Sequence, residues 1–129
     1  MVRHHPQWSR VGELVNAGRI GEPRVIQAVF SYFNDNPADI RNQSGIGGGA
    51  LYDIGCYAVV AGRHVFGAEP LRAVALFDRD PALGIDRTTS GLLDFGGGRQ
   101  LSFSVATQCC PHQRVTVLGA RGRIELEIP

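Results

Sequence analysis

Residues 100–108, Gln100-Leu101-Ser102-Phe103-Ser104-Val105-Ala106-Thr107-Gln108, alternate cleanly between polar and apolar side chains. In an extended backbone Leu101, Phe103 and Val105 fall on one side and the polar residues on the other. The alternation therefore predicts a strand with one buried face and one open face. The triplet at residues 96–98, Gly-Gly-Gly, stands immediately before it and predicts a hairpin turn.

The same period of two continues on both sides of this strand. It predicts strands over residues 72–78 and 88–95, before the triplet, and over residues 113–118 and 123–128, after it. A turn at residues 119–122 joins the last two strands into a second hairpin.

The first half of the chain follows a different pattern. Residues 8–17 predict a short helix that ends at Gly18, and residues 24–33 predict a strand that is apolar on both faces. A polar, turn-rich loop over residues 34–49 separates that strand from a helix over residues 50–66. The apolar stripe of this longer helix comprises Leu51, Ile54, Ala58, Ala61 and Val65.

Together these elements predict one α+β domain over residues 1–129. Its core is a mostly antiparallel open sheet of about six strands, with helices packed on one face. The other face keeps apolar positions from the first strand, so we expect a second subunit or domain to cover it.

Composition limits the binding partners and the cellular location that we expect for the protein. The chain has 129 residues and a formal charge of +1, with no basic stripe of the kind a nucleic-acid-binding protein shows. Its apolar runs are too short for a membrane helix, and residues 1–6 lack the apolar segment of a signal peptide. We expect a cytoplasmic protein that binds neither nucleic acid nor membrane.

The basic residues, cysteines and histidines exclude some kinds of catalytic and metal-binding site. All 13 basic residues are arginines, so chemistry that needs a lysine cannot be housed in this chain. The 3 cysteines and 4 histidines fall at neither disulfide-framework nor zinc-ligand spacing. We expect no metal site, and we expect Cys56, Cys109 and Cys110 to be small buried apolar residues.

Candidate catalytic residues lie in residues 47–57, Gly-Gly-Gly-Ala-Leu-Tyr-Asp-Ile-Gly-Cys-Tyr. Asp53 and Tyr57 are four residues apart near the start of the predicted helix, so both project from one face. A carboxylate beside a phenol can transfer a proton to or from a substrate hydroxyl. Spacing alone equally allows a solvated Asp53 and a core or interface Tyr57.

The residues around this pair are candidates for substrate binding. The triplet Gly47-Gly48-Gly49 would let a ligand approach the backbone and leave free N–H groups for it, with Gly49 nearest the helix. Arg41 and Asn42 could hold substrate hydroxyls or cap the loop. The glycines follow a loop and not a strand, so they do not predict a dinucleotide site; His64 is predicted to be structural.

Residues 47–57 also carry a family resemblance. They resemble the "G-G-G-x-L-x-D-x-G-x-[HY]" signature in the C-terminal domain of the Gfo/Idh/MocA oxidoreductases. Residues 18–22, Gly-Arg-Ile-Gly-Glu, are similar to the family's turn into its first strand. Residues 66–70, Phe-Gly-Ala-Glu-Pro, are similar to the segment that leads into its next strand, and the similarity covers nearly the whole chain.

The resemblance implies a fold and a function. It implies a glyceraldehyde-3-phosphate dehydrogenase-like C-terminal domain that forms a homodimer through its open sheet face. Asp53 would contact a sugar or polyol-like substrate, Tyr57 would be the acid–base, and residues 34–42 would line the substrate pocket. Tyrosine at position 57 favours the glucose-fructose oxidoreductase and dihydrodiol dehydrogenase branch.

The family pattern also includes parts that this chain does not have. The Rossmann domain with G-x-G-x-x-G and the lysine of an E-K-P motif would precede these residues. We therefore expect a domain truncated at both ends, in a protein that uses NAD or NADP, with no cofactor bound to this chain and no activity in isolation. The alternative is a non-catalytic dimerisation or sugar-binding module that lacks its enzyme partner.

Overall fold

The computed structural model describes residues 4–129. Residues 1–3, part of the segment predicted to lack a signal peptide, lie outside the described residues. The helices are α1 (Pro6–Asn16) and α2 (Cys56–Phe66), and a π-helical turn (Leu51–Gly55) leads directly into α2. The strands are β1 (Pro23–Phe33), β2 (Arg72–Arg79), β3 (Asp86–Asp94), β4 (Gln100–Ala106), β5 (Gln108–Gly119) and β6 (Arg123–Glu127).

The strands form one six-stranded sheet in the order β2-β3-β4-β1-β5-β6. Four neighbouring pairs are antiparallel, and β1 and β4 run parallel at the centre. The predicted α+β class and mostly antiparallel open sheet are therefore confirmed. The parallel pair arises because β1 enters the sheet between two strands from the C-terminal half of the chain.

Both helices pack on one face of this sheet and bury its apolar positions. On β4 the predicted inward residues Leu101, Phe103 and Val105 are all buried. Facing them, the predicted stripe of α2 is buried at Ala58, Ala61 and Val65. The core includes Trp8, Val11, Ile26, Ala28, Phe30, Val115, Val117 and Leu126.

The junction between β4 and β5 differs from the prediction. Strand β5 begins at Gln108, earlier than predicted, because Gln108 pairs with Phe33 while His112 pairs with Ser31. The additional residues between these two pairs make a bulge. Cys109 and Cys110 lie in this bulge and are exposed, as is Cys56, so the prediction of three buried cysteines is wrong: a bulge at the end of a sheet does not turn its side chains into the core.

The second face of the sheet carries no helix among the described residues. Its centre is polar, with Ser90 and Ser104 hydrogen-bonded across β3 and β4 at 2.9 Å. Val74, Leu76 and Leu92 are exposed toward one edge. In addition, none of the helices between residues 4 and 129 is long and apolar enough to cross a membrane.

Candidate functional site

The first turn of the long helix has π-helical geometry, which sequence periodicity did not predict. Its hydrogen bonds span one residue more than in an α-helix, so the turn is wider. Gly55 lies in this turn and is buried; a Cβ there would stand 2.9 Å from Leu51 Cδ1 and 3.5 Å from Val105 Cγ2. The last glycine of the signature, Gly55, therefore lets the wide turn pack directly on β4.

The glycine triplet ahead of the turn does not present free N–H groups, and this expectation was wrong. The amides of Gly48 and Gly49 donate to the carbonyls of Gln43 and Arg41, at 3.0 and 2.8 Å. These two amides are thus occupied by hydrogen bonds within the loop. Gly49 stays a predicted substrate-binding residue, but not through a free amide.

Gly49 is instead required by the backbone and by Asp86. Its φ is 122°, a region that side chains rarely adopt, and a Cβ would overlap Asp86 Oδ1. Asp86 is buried, and its Oδ2 accepts from the Leu51 amide at 2.8 Å and the Thr89 hydroxyl at 2.5 Å. A carboxylate thus satisfies a free N–H at the start of the π-helical turn. Sequence reasoning missed Asp86, since an acid beginning a strand gives no signal.

Asp53 is held by two other side chains. The Tyr32 hydroxyl donates to Asp53 Oδ2 at 2.5 Å, and Arg41 Nε donates to Asp53 Oδ1 at 3.2 Å. The phenol that hydrogen-bonds this carboxylate is therefore Tyr32, from β1. Tyr32 was missed because it lies inside a run of apolar strand residues.

The contacts in this group shift the pKa values of Tyr32, Arg41 and Asp39. Burial, together with the hydrogen bond to Asp53, raises the pKa of Tyr32 well above its usual value, so the phenol stays protonated. The Asp53 carboxylate raises the pKa of Arg41. The Arg41 backbone amide lowers the pKa of Asp39, whose Oδ1 lies 3.4 Å from the Arg41 guanidinium.

Tyr57 lies beside this group and faces a cavity. Its side chain is 39% exposed, and its ring centroid lies 6.0 Å from that of Phe30. The cavity has a volume of about 270 Å³. Its lining comprises Phe30, Ser31, Tyr32, Ile54, Tyr57, Gln113 and Pro129. Tyr57 and Tyr32, whose hydroxyl donates to Asp53, therefore line one cavity.

The two neighbouring loop candidates differ. Arg41 is half-exposed and reaches Asp53, so it belongs to the site. Asn42 is buried, and its amide nitrogen donates to the carbonyl of Asn36 at 2.9 Å and that of Asn34 at 3.3 Å. This geometry favours loop capping for Asn42.

His64 contacts α1 and not the cavity. Its Nε2 lies 3.1 Å from the Trp8 carbonyl oxygen, and the two rings meet edge to face. These contacts agree with the structural role predicted for it.

The glycine triplet is not a dinucleotide cradle, and no metal-ligand cluster is present in the part of the chain that the structure describes. Within residues 4–129 no group of three or more His, Cys, Asp and Glu side chains is arranged to hold a metal. The glycine triplet, whose amides bind loop carbonyls, cannot cradle a pyrophosphate in the way that a free helix N-terminus does.

Comparison with known proteins agrees with this architecture. A family model described as the GFO/IDH/MocA C-terminal domain matches residues 8–125. An uncharacterised oxidoreductase of Rhizobium meliloti, ORF334, is 49% identical over 129 residues, which is 100% of this chain and 39% of that protein.

Two further relatives are named as reductases. A dTDP-3,4-didehydro-2,6-dideoxy-alpha-D-glucose 3-reductase of Streptomyces antibioticus is 32% identical over 96% of this chain and 38% of its own length. The crystal structure of KijD10, a 3-ketoreductase from Actinomadura kijaniata in complex with NADP and TDP-benzene, superimposes with a TM-score of 0.87 at 29% identity. That alignment covers 97% of this chain and 38% of KijD10. The chain thus spans less than two-fifths of the length of the relatives it matches.

Proposed function

The chain belongs to the GFO/IDH/MocA oxidoreductase family, and from that premise we propose that it forms the substrate-binding domain of a nicotinamide-dependent oxidoreductase. The substrate is a sugar or polyol-like compound that reacts at a CH–OH group. The reaction on a dTDP-glucose derivative named for the Streptomyces antibioticus relative supports this substrate class. Asp53 and Tyr57 are the residues of this chain that act on the substrate.

One observation carries the proposal: the half-exposed Tyr57 lines the same cavity as Tyr32, the residue whose hydroxyl donates to Asp53. A phenol at a cavity wall can give a proton to, or take one from, the oxygen of a bound CH–OH group. A fixed carboxylate nearby can accept hydrogen bonds from neighbouring hydroxyls of the same substrate.

The roles of the two residues follow from their chemistry. Tyr57 is the proton donor or acceptor, and a tyrosine needs a nearby cation to work near neutral pH, because the ordinary pKa of a phenol is about 10. The chain has no lysine, and Arg41 is paired with Asp39 and Asp53, so we assign this cation to the rest of the complete protein. Asp53 orients the substrate through the oxygen lone pairs that Tyr32 and Arg41 leave free.

The nicotinamide cofactor, NAD or NADP, is assigned to the complete protein and not to this chain. The described residues offer no cradle for its pyrophosphate, as the bonded amides of Gly48 and Gly49 indicate. The KijD10 complex with NADP supports a nicotinamide cofactor for the family.

Replacement of Tyr57 by Phe tests the proposed function. In the complete protein that carries this chain, we expect Tyr57→Phe to lower kcat by ~100-fold, because the acid–base hydroxyl is lost while the ring remains. The assay follows NAD(P)H absorbance with a panel of aldoses, ketoses and polyols. Tyr52→Phe is the matched control, since Tyr52 is 76% exposed in the same segment.

An unchanged kcat in Tyr57→Phe would remove the acid–base assignment. Absence of any NAD(P)-linked turnover by the wild-type protein, combined with calorimetric binding of a monosaccharide, would favour the sugar-binding module instead.

We also propose that the open sheet face is a homodimer surface. Exposed apolar residues from β2 and β3, Val74, Leu76 and Leu92, lie toward one edge of this face, beside a polar centre in which Ser90 bonds Ser104. A surface of mixed polarity with apolar patches is suited to a self-complementary interface. Sedimentation analysis tests it: a monomer at micromolar concentration would contradict the proposal.

A further inference from the structure

The hydroxyl of Tyr32 and the carboxylate of Asp53 form a contact that the proposed chemistry does not by itself require. The two residues come from separate parts of the chain, β1 and the π-helical turn, and their oxygens lie 2.5 Å apart. A phenol that donates to a carboxylate at this distance makes a strong, charge-assisted hydrogen bond.

The backbone around Tyr32 explains how its side chain reaches the site. Ser31 pairs with His112 and Phe33 with Gln108, so the bulge in β5 stands opposite Tyr32. The Ser31 hydroxyl donates to the Cys110 carbonyl at 2.7 Å and fixes the bulge to β1. Tyr32 follows Ala28 and Phe30 on the face of β1 that packs against the core, so strand alternation brings its side chain to the start of the helix.

Asp53 is consequently bound on both of its oxygens. Tyr32 holds Oδ2, and Arg41, from the loop ahead of the glycine triplet, holds Oδ1 at 3.2 Å. Arg41 is tied in turn to Asp39, whose Oδ2 accepts from Asn34 Nδ2 at 2.8 Å. The carboxylate is thus fixed from β1 on one side and from the loop on the other.

We propose that Tyr32 is a positioning residue, which acts on the reaction by fixing the Asp53 carboxylate beside the cavity that Tyr57 lines. Tyr32 transfers no proton in turnover; the hydroxyl stays the donor to Asp53 throughout. The effect of Tyr32 on the reaction rests on the proposed function, whereas the hydrogen bond between Tyr32 and Asp53 does not.

The electrostatic surroundings agree with a permanently protonated phenol. The charged groups that act on Tyr32 are Asp53, Arg41 and Asp39. Burial and the two carboxylates favour the neutral phenol and raise its pKa, and only Arg41 opposes them. Tyr32 therefore keeps its proton at pH values at which an exposed tyrosine loses it.

The first test uses no activity. Tyrosine residues labelled with ¹³C at Cζ are followed by NMR as pH is raised, with Tyr32→Phe assigning the Tyr32 resonance. A solvated tyrosine ionises at a pH of about 10, and we expect the Tyr32 resonance to move only above that pH. Asp53→Asn should bring its ionisation to lower pH, because the substitution removes a negative charge and the hydrogen-bond acceptor. Ionisation of Tyr32 at the pH of a solvated tyrosine would overturn the contact.

The second test is a double-mutant cycle in the complete enzyme. Loss of a hydrogen bond to a charged group corresponds to about a tenfold or greater fall in kcat/KM for Tyr32→Phe. If Tyr32 acts through Asp53, the same change should have little further effect in an Asp53→Asn background. A structural role unconnected with Asp53 would instead give multiplicative losses.

The outcomes separate the two proposals. Multiplicative losses in an active enzyme would overturn the positioning role and leave the proposed function standing. The opposite result is a wild-type enzyme that is inactive but in which Tyr32 still ionises at a higher pH than a solvated tyrosine. It would overturn the proposed function and the positioning role of Tyr32, while the Tyr32–Asp53 contact would stand.

Discussion

The chain contains two glycine triplets that share a sequence and differ in their surroundings. In the triplet at residues 96–98 all three φ angles are positive, 76°, 61° and 77°, and a Cβ at Gly98 would meet no atom within 4 Å. In the triplet at residues 47–49, Gly48 and Gly49 are enclosed by loop backbone and by Asp86. Gly98 needs glycine only for its backbone angle, whereas Gly48 needs it for space and Gly49 for both space and angle.

The difference shows why residues 47–49 lie at the site. A hairpin turn in solvent tolerates any residue that can adopt its angles, at a modest cost. Gly48 and Gly49 are packed between a loop, a buried carboxylate and the start of a helix, which leaves no room for a side chain. Their position also sets that of Asp53, because the Asp53 amide donates to the Gly49 carbonyl at 3.0 Å.

The largest expected effect is that of Gly49→Ala. The Cβ would overlap Asp86 Oδ1 and would have to adopt a φ of 122°. We expect the free energy of unfolding to fall by about 3–5 kcal/mol, at the upper end of single substitutions. Urea denaturation followed by circular dichroism measures it, and a loss below ~1 kcal/mol would show that Asp86 moves aside freely.

Asp86→Ala should have an intermediate effect. It deprives the Leu51 amide and the Thr89 hydroxyl of their acceptor, which costs about 1–3 kcal/mol for buried donors. It also removes the carboxylate atoms that a Cβ at position 49 would overlap. Gly49→Ala should therefore cost less in the Asp86→Ala background than alone; equal costs would mean that the backbone angle, and not Asp86, excludes a side chain.

Gly98→Ala should have the smallest effect. Nothing obstructs its Cβ, so only the left-handed backbone angle opposes it, at about 1–2 kcal/mol. The same denaturation experiment measures it. A loss as large as that of Gly49→Ala would remove the distinction between the two triplets.

The fold was largely predictable from the sequence because its strands alternate strictly and its glycines mark the turns. Leu101, Phe103 and Val105 were assigned to the buried face, and all three are buried. The bulge at Cys109 and Cys110 was not predictable, since the exposure of these residues depends on a register set by β1, far away in the sequence. Periodicity also does not distinguish a π-helical first turn from an α-helical one.

The site was predictable in its position and less so in its contacts. Residues 47–57 directed attention to Tyr57, which lines the cavity, and to Asp53, which is hydrogen-bonded to another lining residue, Tyr32. Tyr32 and Asp86 were missed because their partners, Asp53 and Leu51, lie 21 and 35 residues away in the sequence, and no local spacing records such a contact. Whether Arg41, Asn42 and Gly49 bind substrate stays a prediction, although the structure gives Asn42 and the Gly49 amide contacts within the loop.

The central position of β1 has a consequence for how the molecule folds. Hairpins β3–β4 and β5–β6 join strands that are close in sequence, whereas Val25 in β1 pairs with both Gln100 and Leu118. Contacts between such distant residues form slowly, because a long stretch of chain must be closed first. The contact of Tyr32 with Asp53 closes only 21 residues of chain and can form before those pairings. The slow step of folding should therefore be the entry of β1 between the two hairpins, with the Tyr32–Asp53 contact already available to it.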